Sequence, residues 1–160
     1  MARKQHRRSY ILQTIQPGLV GLMDGSVSTL APIFAAAFAT QNPHVAFLVG
    51  LSASTGAGIS MAFAEALSDD GRETGRGSPW RRGVIMGAMT FLGGIFHTLP
   101  FLMTDIHMAL IAAYAVVGVE LVAIAYIRYR YFHMSFWYSC LQVIVGGALV
   151  FAAGVLIGES

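Results

Sequence analysis

Four side chains capable of acid–base or metal chemistry fall inside long apolar runs of this sequence: Asp24, Glu65, His97 and Glu120. Asp24, in GLMDGSVSTLAPIFA, is the only side chain between Ser9 and Pro43 that is charged at neutral pH. A carboxylate at membrane depth costs about 2.5–3.5 kcal/mol on insertion scales, so something must offset it. Met61 stands four residues before Glu65, on the same face of a helix. Carboxylate oxygens with a thioether suit a borderline divalent ion such as Fe2+ or Mn2+ better than Mg2+ or Ca2+. Carboxylates also titrate, so protons can replace a departing metal, which is the minimal chemistry of a metal–proton exchanger. Asp24, Met61 and Glu65 are therefore the expected metal ligands. Glu120 and His97 are expected as a proton relay or accessory groups. Asp69, Asp70 and Glu73, in the loop after Glu65, are expected to attract cations to the entrance.

Each of these residues also has a plainer role open to it. Asp24 and Glu120 can hydrogen-bond across helices. Glu65 can extend its carboxylate to the interface, and Met61 can simply pack. His97, beside Thr98 and Pro100, can cap a helix near the outer surface, and the loop acids can form a solvated patch. Cys140 reads as packing, and a single cysteine excludes an internal disulfide or a cysteine metal cluster.

The elements that must position these groups are membrane helices. Of the 160 residues, 56% are hydrophobic and 11% charged, with a mean hydropathy of +0.64. A soluble domain carries about 25% charge, so the fold class is an all-α, polytopic membrane protein. Each span needs about 20 apolar residues. Five are expected, at 18–40, 44–68, 79–103, 106–127 and 135–158, forming one transport domain over residues 17–160. Gln41-Asn42-Pro43 reads as a tight turn, and Ser78-Pro79 as a helix start. Residues 1–16 form a separate basic, amphipathic segment expected to lie on anionic lipid through Arg3, Lys4, Arg7 and Arg8. The apolar run after this basic start is longer than a secretory signal core and reads as a retained helix.

With five spans, all ten Lys and Arg residues fall on one side of the membrane, in residues 3–8, 72–82 and 128–130. The positive-inside rule then puts the N-terminus in the cytoplasm and the C-terminus outside, as for a multi-pass protein of a bacterial inner membrane. Asp24, Glu65 and Glu120 are expected in the cytoplasmic half and His97 in the outer half. Small residues at steps of four, Gly50, Ser54, Gly58 and Ala62, mark a close helix contact. Five helices enclose a polar path poorly, so a homodimer is expected. The net charge of +2 is too small to suggest nucleic acid. An enzyme is not expected: G-x-S-x-G and H-E-x-x-H are missing, as are the additional spaced aspartates of lipid transferases.

MDGSVST around Asp24-Gly25 and GISMAFAEAL around Met61 and Glu65 resemble the vacuolar iron transporter family. The stretch from DGSVSTLAP through AEALSDDG to HTLP is most similar to the membrane domain of bacterial membrane-bound ferritin proteins, and the resemblance covers about residues 15–160. It implies a dimer of five-helix subunits that exports Fe2+, or Mn2+, from the cytoplasm in exchange for protons, without a resident cofactor. It also implies that Asp24, Met61 and Glu65 line the path near the dimer axis. Plant and fungal members insert a glutamate-rich metal-collecting domain between helices 2 and 3, where this sequence has only residues 69–79. Membrane-bound ferritins carry an N-terminal di-iron domain, where this sequence has residues 1–16 and no Glu-x-x-His. The expectation is thus a transport core without ferroxidase activity, with a separate iron-binding protein as a candidate partner. The rival reading is a non-transporting scaffold that recruits an iron-storage partner to the membrane.

Overall fold

A computed structural model describes residues 2–71 and 74–159, with side chains from Gln5 onward. Glu73 and the side chains of Arg3 and Lys4 lie outside the described residues. The secondary structure among the described residues is helical: α1 (Ala2–Tyr10), a π-helical turn (Ile11–Ile15), α2 (Gln16–Ser28), α3 (Leu30–Thr40), α4 (Pro43–Ala66), α5 (Pro79–Phe96), a 3-10 turn (Leu99–Leu102), α6 (Ile106–Phe132) and α7 (Phe136–Gly158).

The helix boundaries follow local chemistry. Gln41 ends α3 in the left-handed conformation at φ 50°, and the Asn42 side chain accepts from the His44 and Val45 amides, so the expected Gln-Asn-Pro turn is present. Ser78 caps α5 ahead of Pro79, also as expected. Pro32 has no N–H for the Ser28 carbonyl, and the helix breaks at Thr29 between α2 and α3. Pro100 likewise has none for Phe96, where α5 ends well short of the expected residue 103. In contrast, α6 runs on to Phe132 through Arg128 and Arg130. Hydropathy marks where the apolar solvent ends, and a helix with satisfied backbone bonds continues past that point.

Residue 16, where the basic segment is expected to end, lies within continuous helix. Helix runs without a break from α1 through the π turn into α2 and ends only at Thr29. Pro17 is tolerated because the preceding π turn, in which the Gln16 N–H reaches the Ile11 carbonyl, shifts the hydrogen-bond register.

Among the described residues, four helical stretches are long and apolar enough to cross a membrane: Gln5–Thr40, Pro43–Ala66, Ile106–Phe132 and Phe136–Gly158. The remaining long helix, α5, has 18 residues and carries Arg81 and Arg82 in its first turn. It lies between α2 and α4, nearly backbone to backbone. A Cβ on Gly21 or Gly25 would collide with the Met86 or Thr90 carbonyl, and one on Gly83 or Gly87 with the Ala62 or Gly58 carbonyl. Gly94 meets Ser54 and Thr98 meets Gly50. The small-residue stripe expected on α4 is therefore the face that takes α5. Gly154 and Gly158 of α7 meet Ala31 and Ala35 of α3 in the same way.

These contacts also fix direction. Along α2 and α5 the partners rise together, whereas along α4 and α5 they run in opposition. α7 runs with α3. The α1–π segment meets both other basic regions: Gln13 lies against Gly77 of the α4–α5 loop, and Arg7 and Arg8 share a groove with Tyr131 and His133. All three basic segments thus gather at one end of the bundle. An inner core forms around Phe34, which stacks on Tyr114 at 5.2 Å and meets Phe151 edge-on at 5.0 Å. Ile59, Val84, Val119, Leu149 and Leu156 point outward and exposed, as lipid-facing side chains do.

A Gly25→Ala substitution forces α5 off α2 and is expected to cost about 1–3 kcal/mol. Gly118→Ala has open space around the new Cβ and is expected to be neutral or mildly stabilising. Thermal unfolding of the two purified variants in detergent separates these outcomes; equal midpoints would contradict the close packing.

Candidate functional site

The ionisable groups sort into three places rather than one. The first is Asp24. Half-buried on α2, it lines a cleft of about 650 Å3 with Ser28, Arg128 of α6, and Gln142 and Gly146 of α7. Arg128 Nη2 donates to Gln142 Oε1 at 2.7 Å and reaches Met134 Sδ at 3.4 Å. The cleft thus combines a carboxylate and a hydroxyl with a nearby guanidinium held by other partners.

The second is a clasp at the cytoplasm-expected end of α4 and α5. Arg82 is fully buried. Its Nε donates to Glu65 Oε1 at 2.6 Å, its Nη2 to Asp69 Oδ1 at 2.7 Å and its Nη1 to the Gly77 carbonyl at 3.1 Å. Arg76 donates to the same two acids, at 2.6 Å to Glu65 Oε1 and 3.1 Å to Asp69 Oδ2. Two carboxylates and two guanidiniums make a neutral cluster, which lets charge sit out of water. Glu65, expected as a metal ligand, has Oε1 occupied by both arginines here. Asp69 joins this cluster, while Asp70 is exposed in the loop. Met61 is half-buried one turn before Glu65.

The Asp69 carboxyl is held below its ordinary value near 3.8, first by the Arg82 hydrogen bond and then by the Arg82 and Arg76 charges, against partial desolvation. A depressed folded-state value means that this contribution to stability is present above the unfolded value and is lost as pH falls through the folded one.

The third place joins two residues expected in opposite halves. His97 and Glu120 are both buried, and His97 Nδ1 lies 3.0 Å from Glu120 Oε2. On the other ring edge, His97 Nε2 lies 2.8 Å from Thr29 Oγ1, which donates to the Gly25 carbonyl at 2.7 Å. Glu120 lies near the middle of α6, about 21 Å along the axis from Ile106 and about 18 Å from Phe132 at 1.5 Å per residue. His97 is the C-cap residue of α5, as a capping role requires, but it is fully buried rather than near an outer surface.

Among the described residues, no group of three or more His, Cys, Asp and Glu side chains is placed to hold a metal ion within one chain. Sequence reasoning missed Arg82, Arg76 and Thr29. A signal for Arg82 was present, because Arg82, Met86, Thr90 and His97 fall at helical spacing on the buried face of α5. For Thr29 the signal was its place in the turn preceding Pro32.

A family model described as the VIT family matches residues 65–159. No curated protein and no solved structure matches the chain. The matched region begins at Glu65 and contains the arginine clasp, His97 and Glu120, while Asp24 and Met61 precede it.

Removing Arg82 leaves two carboxylates sharing Arg76 alone, with a net negative charge. Arg82→Gln is expected to destabilise the protein by about 3–5 kcal/mol, the usual cost of breaking a buried pair from one side. In the wild type, acidification below pH 3.8 is expected to lower the unfolding midpoint more than in Asp69→Asn, as thermal scans across pH would show.

Proposed function

As a member of the VIT family, the vacuolar iron transporters, this chain is a multi-pass integral membrane protein of a metal-transporting and not an enzymatic family, and we propose that it exports Fe2+, with Mn2+ as a second cargo, from the cytoplasm in exchange for protons. The family match over residues 65–159 is the observation that carries this reading. The geometry adds a carboxylate on an open cleft inside the apolar region, at Asp24. A half-buried acid in such a position defaults to function, because the bilayer makes it costly.

In this reading α5 is the third of five crossings. The support is its packing: it runs with α2 and against α4, contacting both over its length, so it traverses the depth that they traverse. Five crossings keep the three basic segments on one side, which is taken as the cytoplasm, and leave the C-terminus outside. The membrane is taken as a bacterial inner membrane, and the basic α1 end rests on its anionic lipid through Arg7 and Arg8.

The working unit is proposed to be a homodimer. The outer face of α4 exposes Ser52, Thr55, Gly56 and Ser60 among its apolar residues. Small and hydroxyl side chains on a lipid-facing helix suit a second helix better than acyl chains. Met61 adjoins this face, so pairing gives it a place beside the path. Asp24 is the principal ligand, with Met61 biasing selection toward softer ions. Glu65 joins only after Arg76 and Arg82 release it, which makes the clasp a gate as well as a brace.

Proteoliposomes with an imposed pH gradient are expected to move Fe2+ or Mn2+ against an outgoing proton flux. Asp24→Ala is expected to lower that flux at least as much as the roughly 10–100-fold lost when even an outer-shell metal partner is removed. Wild-type liposomes with no metal flux, or unchanged flux in Asp24→Ala, would remove the transport reading or the ligand assignment respectively.

A further inference from the structure

The hydrogen bonds around His97 determine where its protons lie. The Gly25 carbonyl can only accept, so the 2.7 Å contact with Thr29 Oγ1 uses the single hydroxyl proton of Thr29. At 2.8 Å, the bond between Thr29 Oγ1 and His97 Nε2 therefore needs the proton on Nε2. The other ring nitrogen, Nδ1, faces Glu120 Oε2 at 3.0 Å. One proton must lie between these two atoms. With none, a nitrogen lone pair would face a carboxylate. With two, a net positive charge would be buried with no anion to balance it.

Thr29, Ser54 and Gly50, which adjoin the pair, are uncharged. Thr29 approaches from the helix break, and Ser54 and Gly50 of α4 pack on the adjoining turns of α5. Around the Glu120 carboxyl, Phe96, Leu99, Pro100, Ala115, Val116 and Val119 line an apolar groove of about 630 Å3. Glu120 Oε1 is buried and has no hydrogen-bond partner. A buried carboxylate oxygen left without a partner is costly. Of the pair, Glu120 is the residue that lines this groove.

We propose that Thr29, His97 and Glu120 form a proton-carrying site at mid-membrane depth, separate from the Asp24 cleft, which holds one proton while the helices are packed as here and releases it when His97 and Glu120 part. This rests on the proton-coupled reading above for its role, in which the site carries the counter-proton. Thr29 is a positioning residue. It sits in the break between α2 and α3, and its bond to Gly25 ties the site to the residue next to Asp24. Movement of the break thus reaches both sites.

Nitrogen-15 NMR of the histidine rings in the purified wild-type protein in nanodiscs, with His97→Gln to assign the signal, tests the proton site directly. His97 is expected to show a protonated Nε2, the tautomer that its bond to Thr29 requires. Thr29→Ser is expected to retain this signature and Thr29→Val to lose it. A bare Nε2 in the wild type would overturn the site.

Its role is read in proteoliposomes. Glu120→Gln is expected to keep downhill metal entry while losing the accompanying proton counter-flow. Wild-type proton counter-flow per metal ion in Glu120→Gln would overturn the carrier role. If the wild type moved no metal at all, the exporter reading would fail, and the NMR result would still decide whether the proton site exists.

Discussion

The close approach of α5 to α2 and α4 is the constraint on which the rest of this structure depends. Glycines at Gly21, Gly25, Gly58, Gly83 and Gly87 bring carbonyls of one helix to the Cα positions of the next. Nothing polar on the buried face of α5 can then escape to water or lipid. Arg82, Thr90 and His97 lie on that face and are fully buried. Arg82 takes Glu65 and Asp69, Thr90 bonds the Met86 carbonyl of its own helix, and His97 takes Thr29 and Glu120. The helix that looks least like a membrane span by hydropathy is thus the one that organises the polar interior.

The three intramembrane acids end in three different electrostatic situations, though each is the same chemical group on an apolar helix. Glu65 is held by two guanidiniums in a neutral cluster, so its charge is fixed by its partners. Glu120 is paired with an imidazole, so its charge is tied to a proton. Asp24 opens on a cleft, where charge can be met by something that arrives from outside the chain. Exchange of a cation for protons needs groups of the last two kinds, and the first kind supplies rigidity at the mouth. This division of labour is what links the packing of α5 to the proposed transport function.

The composition and its ordering along the chain determined a good part of this. Long apolar runs broken by Gln41-Asn42-Pro43 and Ser78-Pro79 settled the helical class and two turns, because capping and proline chemistry act over a few residues. The small-residue stripe on α4 marked a close contact, because only small side chains permit one. GISMAFAEAL and the downstream stretch marked the family. The placement of Lys and Arg foreshadowed the gathering of the basic segments at one end.

Tertiary structure decided which polar groups meet. Glu65 and Arg82 are 17 residues apart, His97 and Glu120 are 23 apart, and Thr29 and His97 are 68 apart. No local rule relates positions at those separations. Depth counted along each helix from its own end placed His97 and Glu120 in opposite halves, because that count cannot include how far one helix is shifted against another. The shift is set by glycine–carbonyl contacts between helices, as is the choice of which face of α5 is buried. Sequence alone therefore identified the costly groups, and only the packing showed which partner compensates each one.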